Sequence, residues 1–178
     1  MSSPQPFIVV GTDGSHHAER ALEFAAEEAR RRDAPVRVVT AWHVPAAVYG
    51  SGFAPMTNPS VEETTRQAAE EIAERAAENL RARGLEVETR VCHAQAADAL
   101  VQEAHGADLL VVGSRGHGGF SGLLLGSVGQ QCAQHAPCPR RTGWPTTAAR
   151  RSPTCCCRSS RSTGRTWCSQ GSYDGGAG

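Results

Sequence analysis

Apolar positions along this chain follow two rhythms, and their order predicts the architecture. Phe7-Ile8-Val9-Val10-Gly11 is a short apolar run ended by Thr12-Asp13-Gly14-Ser15, which reads as a buried strand and a turn. Ser15 is a good N-cap for the segment that follows. There Ala18, Leu22, Ala25, Ala26 and Ala29 fall at helical spacing, with Glu19, Glu23, Glu27 and Arg30 on the outer face. Arg30-Arg31-Arg32 suits the negative end of that helix. Val36 to Trp42 reads as a second strand, and 43–59, rich in Pro, Gly and Ala, as a long loop. Ser60 and Glu63 form a capping-box pattern. They open a helix with Val61, Ala68, Ala69, Ile72, Ala76 and Leu80 on one side, which Gly84 is placed to end.

Residues 85–91 alternate Leu, Val, Thr and Val against Glu, Glu and Arg, the pattern of a strand with one wet face near a sheet edge. A short helix is predicted over 96–105. Asp108 to Gly113 is continuously apolar after its first residue, as expected of a central parallel strand buried on both faces. A glycine-rich loop follows, then a helix from Ser127 to about His135. The alternation β-α-β-α-β-α-β-α predicts an α/β fold, an open parallel sheet with right-handed crossovers and helices on both faces. Ligands of such sheets bind beyond the strand carboxyl ends, where the strand order reverses. Asp13 follows the first strand and Gly113 ends the fourth, so the two meet at one crevice if those strands are neighbours.

Charge and composition narrow the chemistry. The net charge is zero, but residues 1–138 carry eleven Arg against seventeen Asp and Glu, whereas 139–178 carry seven Arg against Asp174 alone. All eighteen basic residues are Arg. A Walker-type phosphate loop needs a lysine beside its Ser or Thr, so that class is excluded in its usual form. There is no long apolar run for a transmembrane helix, and Met1 to Pro6 does not resemble a signal peptide, so a cytoplasmic location is expected. Seven cysteines, an odd count with four of them beyond residue 150, argue against a disulfide framework.

The chemistry-bearing segment is Gly113-Ser114-Arg115-Gly116, nine further residues, then Gly126-Ser127. Glycines let backbone N–H groups approach phosphate oxygens with no Cβ in the way. Ser127 stands where a helix begins, and its hydroxyl and the unpaired amides of that first turn can hold an anion. Arg115 adds a forked cationic donor. The competing reading is a flexible surface loop ending in an ordinary Ser N-cap, and for Asp13 an Asx turn organising Asp13-Gly14-Ser15. His16, His17 and His43 lack a third partner at metal-ligand spacing, and Cys155-Cys156-Cys157 lacks the gap that lets two thiolates share a zinc. No metal site is expected. His117 falls near the phosphate loop or in solvent. No paired carboxylates or Ser-His-Asp order suggest hydrolysis, so any ATP turnover would be slow and no catalytic residue is assigned.

Gly113-x2-Gly116-x9-Gly126-Ser127, following Ala-Asp-Leu-Leu-Val-Val, closely resembles the universal stress protein family, as do Ile8 to Ser15 and Gly119 to Val128. The resemblance runs nearly continuously over residues 7–139. It implies a parallel sheet of order 3-2-1-4-5, of the kind seen in adenine-nucleotide alpha-hydrolase-like domains, and commonly a homodimer. In the subgroup with this glycine pattern it implies ATP binding, with Mg as a possible companion, by a stress-response regulator or sensor rather than a dedicated enzyme. Carried over by position, Asp13 would contact the nucleoside and Ala41 would lie against the base. Gly113, Arg115, Gly116, Gly126 and Ser127 would line the ribose and phosphates. An interaction module of the same fold without nucleotide is the alternative, as is a weak ATPase. The ATP pyrophosphatase reading lacks that class's Ser-Gly-Gly-x-Asp-Ser loop.

After Cys138-Pro139 the family would continue into an apolar fifth strand. Here the chain reads Arg140-Arg141-Thr142-Gly143-Trp144, and 139–178 contains no Val, Ile, Leu, Met or Phe. Such a segment is expected to supply no buried strand. Residues 1–139 are therefore expected to form the domain, with the fifth strand missing, and 140–178 a disordered, aberrant tail of the kind a frameshift produces. A basic tail for nucleic acid, offered by Trp144, Trp167 and seven Arg, is the less favoured reading. Loss of the fifth strand would expose the fourth as an edge and put the homodimer in doubt.

Overall fold

The computed structural model describes residues 6–44, 59–116 and 126–142. Within them the chain runs β1 (Ile8–Gly11), α1 (His16–Arg32), β2 (Val36–Trp42), α2 (Pro59–Arg81), β3 (Val87–His93), α3 (Ala96–Glu103), β4 (Leu109–Val112), α4 (Ser127–His135) and β5 (Arg140–Thr142). The strands form one sheet of order β3-β2-β1-β4-β5, with every pairing parallel. Val36 to Val39 stand opposite Ile8 to Gly11 on one side of β1, and Leu109 to Val111 stand opposite Ile8 to Val10 on the other. The chain therefore reverses its direction of travel across the sheet at β1, and β1 and β4 are neighbours.

Two hydrophobic layers clothe the sheet. Ile8, Val10, Val36, Val38 and Val111 face Ala21, Ala25 and Ala29 of α1 and Ala76 and Leu80 of α2. Val9, Val39, Leu110 and Val112 face Leu100 and Ala104 of α3 and Cys132 of α4. The alternation within each strand divides the residues between the layers. At the amino ends of the strands, Arg37 lies 4.4 Å over the Phe7 ring and donates to Glu88 at 2.8 Å and Glu103 at 3.2 Å. That network anchors α3 to the sheet.

Element ends follow local chemistry. Ser15 caps α1, its Oγ accepting from Ala18 N–H at 3.3 Å. Asp33 closes the helix in the left-handed region, at φ 50°, with its N–H returned to Ala29 O. α2 begins at Pro59, one residue ahead of the expected Ser60 cap, because proline's fixed φ and missing N–H suit the first helical turn. The third strand lies two residues later than the alternation suggested, over Val87–His93, and is the sheet edge expected of it.

The expectation of a missing fifth strand is overturned. Arg140–Thr142 forms β5, with Arg140, Arg141 and Thr142 opposite Leu110, Val111 and Val112. Strand pairing draws on backbone groups that arginine has in full, and Leu110 N–H already donates to Pro139 O at 2.9 Å. The side chains adapt: the Arg141 guanidinium lies 5.3 Å over the Phe24 ring of α1, its stem along apolar surface. β4 is thus an interior strand with its four residues buried, not an edge. The last strand of the sheet ends at Thr142. The tail readings placed on 143–178, with Trp144, Trp167 and Cys155 to Cys157, and the His117 reading lie outside the described residues.

Candidate functional site

At the carboxyl end of the sheet, where β1 and β4 diverge, the structure holds a cavity of about 490 Å³. Asp13, Ala41, Gly113, Arg115, Gly116, Gly126 and Ser127, the seven residues singled out from sequence, all line it. They come from three places in the chain: the β1–α1 turn, the end of β2, and the segment from the end of β4 to the start of α4. Their meeting follows from the reversal of strand order at β1.

Asp13 is set by its own turn. Its Oδ1 accepts from Ser15 N–H at 3.0 Å, while Thr12 Oγ1 accepts from Gly14 N–H at 3.2 Å. The Asx-turn reading is therefore correct as far as it goes. The same geometry turns Oδ2 across the crevice toward Gly116, where an added Cβ would run into it. Gly113 is needed for a similar reason: a Cβ there would stand 3.0 Å from His17 O and 3.2 Å from Arg115 O. Both glycines let backbone lie against neighbouring groups at distances a side chain forbids.

The two ends of the glycine loop are joined by Gly126 N–H donating to Ser114 O at 2.8 Å. That bond brings the start of α4 beside Arg115. Gly126, not Ser127, is the N-cap of α4, and it has no side chain with which to cap the helix. The Ser127 hydroxyl is therefore not consumed as a cap. The first amides of α4 face the cavity through Ser127, Val128 and Gly129. They carry the positive end of the helix dipole, and Arg115, exposed on the rim, adds a full charge. On the underside of α4, burial pushes the Cys132 thiol up to about 11, so it stands there as a neutral apolar group.

The opposite end of the cavity is apolar and belongs to β2 and α3. Thr12 N–H donates to Val39 O at 3.0 Å, so the backbone groups of Val39 point toward β1. Those of Ala41, two residues on, point the same way. β1 is paired only as far as Gly11, so no strand residue stands opposite Ala41 on that side. Ala41 lines the cavity there, with its N–H and C=O turned to the β1 side by the strand alternation. Val39, Ala96, Leu100 and Val112 complete the wall. Sequence reasoning missed these four, because whether a strand end or a face of a short helix reaches a cavity depends on how the elements dock. Gly11 was the available signal, since a glycine closing an apolar strand marks a close approach.

His16 and His17 stand edge to face at 6.3 Å, and His16 pairs with Glu19 at 3.3 Å. His43 is exposed beyond β2, whose last residue, Trp42, stacks on His93 at 4.2 Å. Among the described residues no three His, Cys, Asp or Glu cluster as metal ligands.

An open parallel sheet with a glycine-lined crevice at its switch point and a helix N-terminus beside it defines an α/β domain of the doubly wound kind. The chain belongs to the universal stress protein family, whose model matches residues 7–140. A universal stress protein of Mycolicibacterium smegmatis is 38% identical over 133 residues, 74% of this chain and 43% of that protein. The chain thus spans somewhat under half the length of the first curated relatives it matches. A universal stress protein solved in complex with cAMP is 30% identical, with a TM-score of 0.58 over 79% of this chain and 97% of that one. The universal stress protein from Archaeoglobus fulgidus in complex with dAMP is 29% identical, with a TM-score of 0.54 over 77% and 96%.

Proposed function

We propose that this domain binds an adenine nucleotide in the crevice between β1 and β4, with ATP as its ligand, and acts as a nucleotide-dependent regulator or sensor in stress response. One observation carries the reading. Apolar residues of β2 and α3, the Asp13 carboxylate and the N-terminus of α4 all line a single cavity, a set that suits a base, a ribose and phosphates. Ala41 N–H and C=O match the acceptor N1 and donor N6 of adenine, and would face a mismatched pair in guanine. Asp13, on the cavity wall, would contact the ribose hydroxyls. Ser127, Gly126 and the α4 amides, with Gly113, Gly116 and Arg115, would receive the phosphates. The cAMP and dAMP complexes of relatives near 30% identity support the same class of ligand.

The donor set fits a phosphate chain better than a resident metal. Asp13 is the only acidic residue on the cavity wall among the described residues. A magnesium ion would therefore arrive with ATP and be held mainly by its phosphates. Neither His nor Glu lines the described wall to take a proton from an attacking water. Hydrolysis, if any, is expected to be slow, and the role is signalling rather than turnover.

The test is binding of a fluorescent ATP analogue, beside release and identification of any nucleotide that copurifies. Wild type is expected to bind. Asp13→Ala is expected to weaken binding about 10- to 100-fold, as loss of a charge-assisted hydrogen bond does. Gly116→Val, which drives a side chain into Asp13, is expected to abolish it. Absence of binding by folded wild-type protein would remove the nucleotide reading and leave an interaction module of the same fold.

A further inference from the structure

The base end of the crevice is floored by one side chain seated where another is missing. Gly11 ends β1 on the α3 side, in the same alternation as Val9. A Cβ on Gly11 would stand 2.8 Å from Leu100 Cδ2, 3.0 Å from Leu100 Cδ1 and 3.4 Å from Val112 Cγ1. The Leu100 methyls therefore occupy the place of a residue-11 side chain. Leu100 is only 5% exposed, yet both it and Gly11 line the cavity. Its helix is held by the Arg37–Glu103 pair and cannot easily retreat. Val39, Ala104 and Leu110 belong to the same apolar cluster as Leu100. Its methyls also border the cavity, which gives them room to shift.

We propose that Leu100, seated on Gly11, gauges the depth of the base end and so decides which substituted purines this crevice admits. This rests on the adenine-nucleotide reading above and adds to it a specificity-determining pair. Two opposite substitutions follow. Leu100→Ala removes the floor and deepens the slot. Gly11→Ala lifts the Leu100 methyls off β1 and makes the slot shallower. The double variant puts a small side chain in the space that Leu100 vacates and restores the depth. Two residues in contact can couple in stability whatever their role, so the compensation that counts is the one in the ratio of ligand affinities.

The full chain is titrated with AMP, 2-methylthio-AMP and 8-bromo-AMP, whose substituents leave free the purine edge that Ala41 would read. The readout is the ratio of each substituted ligand's Kd to that of AMP. Leu100→Ala is expected to shift at least one ratio in favour of the substituted ligand by about tenfold or more, the scale on which apolar pockets discriminate a few carbons. Gly11→Ala is expected to weaken AMP itself and shift that ratio the other way, and the double variant to return toward wild type. Circular dichroism checks folding, and Leu100→Val gives a smaller shift of the same sign should Leu100→Ala unfold. Unchanged ratios in folded variants, or double-variant losses that simply add, overturn the proposal while AMP still binds wild type. Wild type that binds none of the three removes the adenine reading and this inference together.

Discussion

Asp13 does two things with one carboxylate, and the division between its oxygens explains why sequence could name the residue but not apportion its roles. Oδ1 is committed to Ser15 N–H within the turn, a contact legible from the Asp-Gly-Ser string. Oδ2 meets Gly116, more than a hundred residues away, through the pairing of β1 with β4. Thr40 shows the reverse case of a residue that no sequence pattern flags. It is 3% exposed in the α1–α2 layer of β2, and its hydroxyl has no hydrogen-bond partner among the described residues. A buried hydroxyl left unpaired costs about 1–3 kcal/mol, and valine keeps its shape without it. Thr40→Val is therefore expected to raise stability in urea denaturation by about 1 kcal/mol. A loss of stability would mean that the hydroxyl is bonded.

At the scale of elements, α4 and β5 differ in how they are read. The start of α4 at Ser127 was legible because Gly-Ser after a glycine loop is a helix-start signal, and the helix runs to His135 as expected. That Gly126 takes the cap and leaves Ser127 and its amides to the cavity required the backbone. β5 was not legible because its composition denies it a core face, and pattern-based strand reading sees only side chains. The register Val111↔Arg141 puts arginine on a face where the neighbouring strand carries a core valine. The Arg141 Nε is buried without a hydrogen-bond partner among the described residues. A cation–π contact contributes about 0.5–1 kcal/mol, and an unsatisfied buried donor costs about 1–3 kcal/mol. The second term is larger, so Arg141→Val is expected to stabilise the protein by about 1 kcal/mol. Thermal unfolding checks it; a lower midpoint would show that the contact with Phe24 outweighs the buried donor.

For the whole molecule, the sheet binds its two halves through β1, and the site depends on that junction more than on any one motif. We propose that the domain closes at Thr142, with the segment beyond it no part of the nucleotide site. A chain ending at Thr142 is expected to unfold at the same temperature as the full chain and to bind nucleotide equally. One ending at Ala136 loses Cys138 from the α3–α4 layer and the Pro139–Leu110 bond, and is expected to unfold at a clearly lower temperature. Equal stability of the two truncations would show that β5 contributes nothing. Sequencing the coding DNA across codon 140 is the separate test of a frame change.

What the amino-acid order determined alone was local and periodic: four strands and four helices, the turn chemistry around Asp13, and the glycine spacing that resembles one family. These are legible because helix and strand periods, caps and tight turns depend on residues close in the chain. Only the tertiary structure decided that Ala41 lines the crevice past the end of β1, that Leu100 rests on Gly11, and that Arg140–Thr142 joins the sheet. Each depends on where one element stops relative to its neighbour. That relation arises from packing and backbone pairing across the sheet, and no window of sequence contains it.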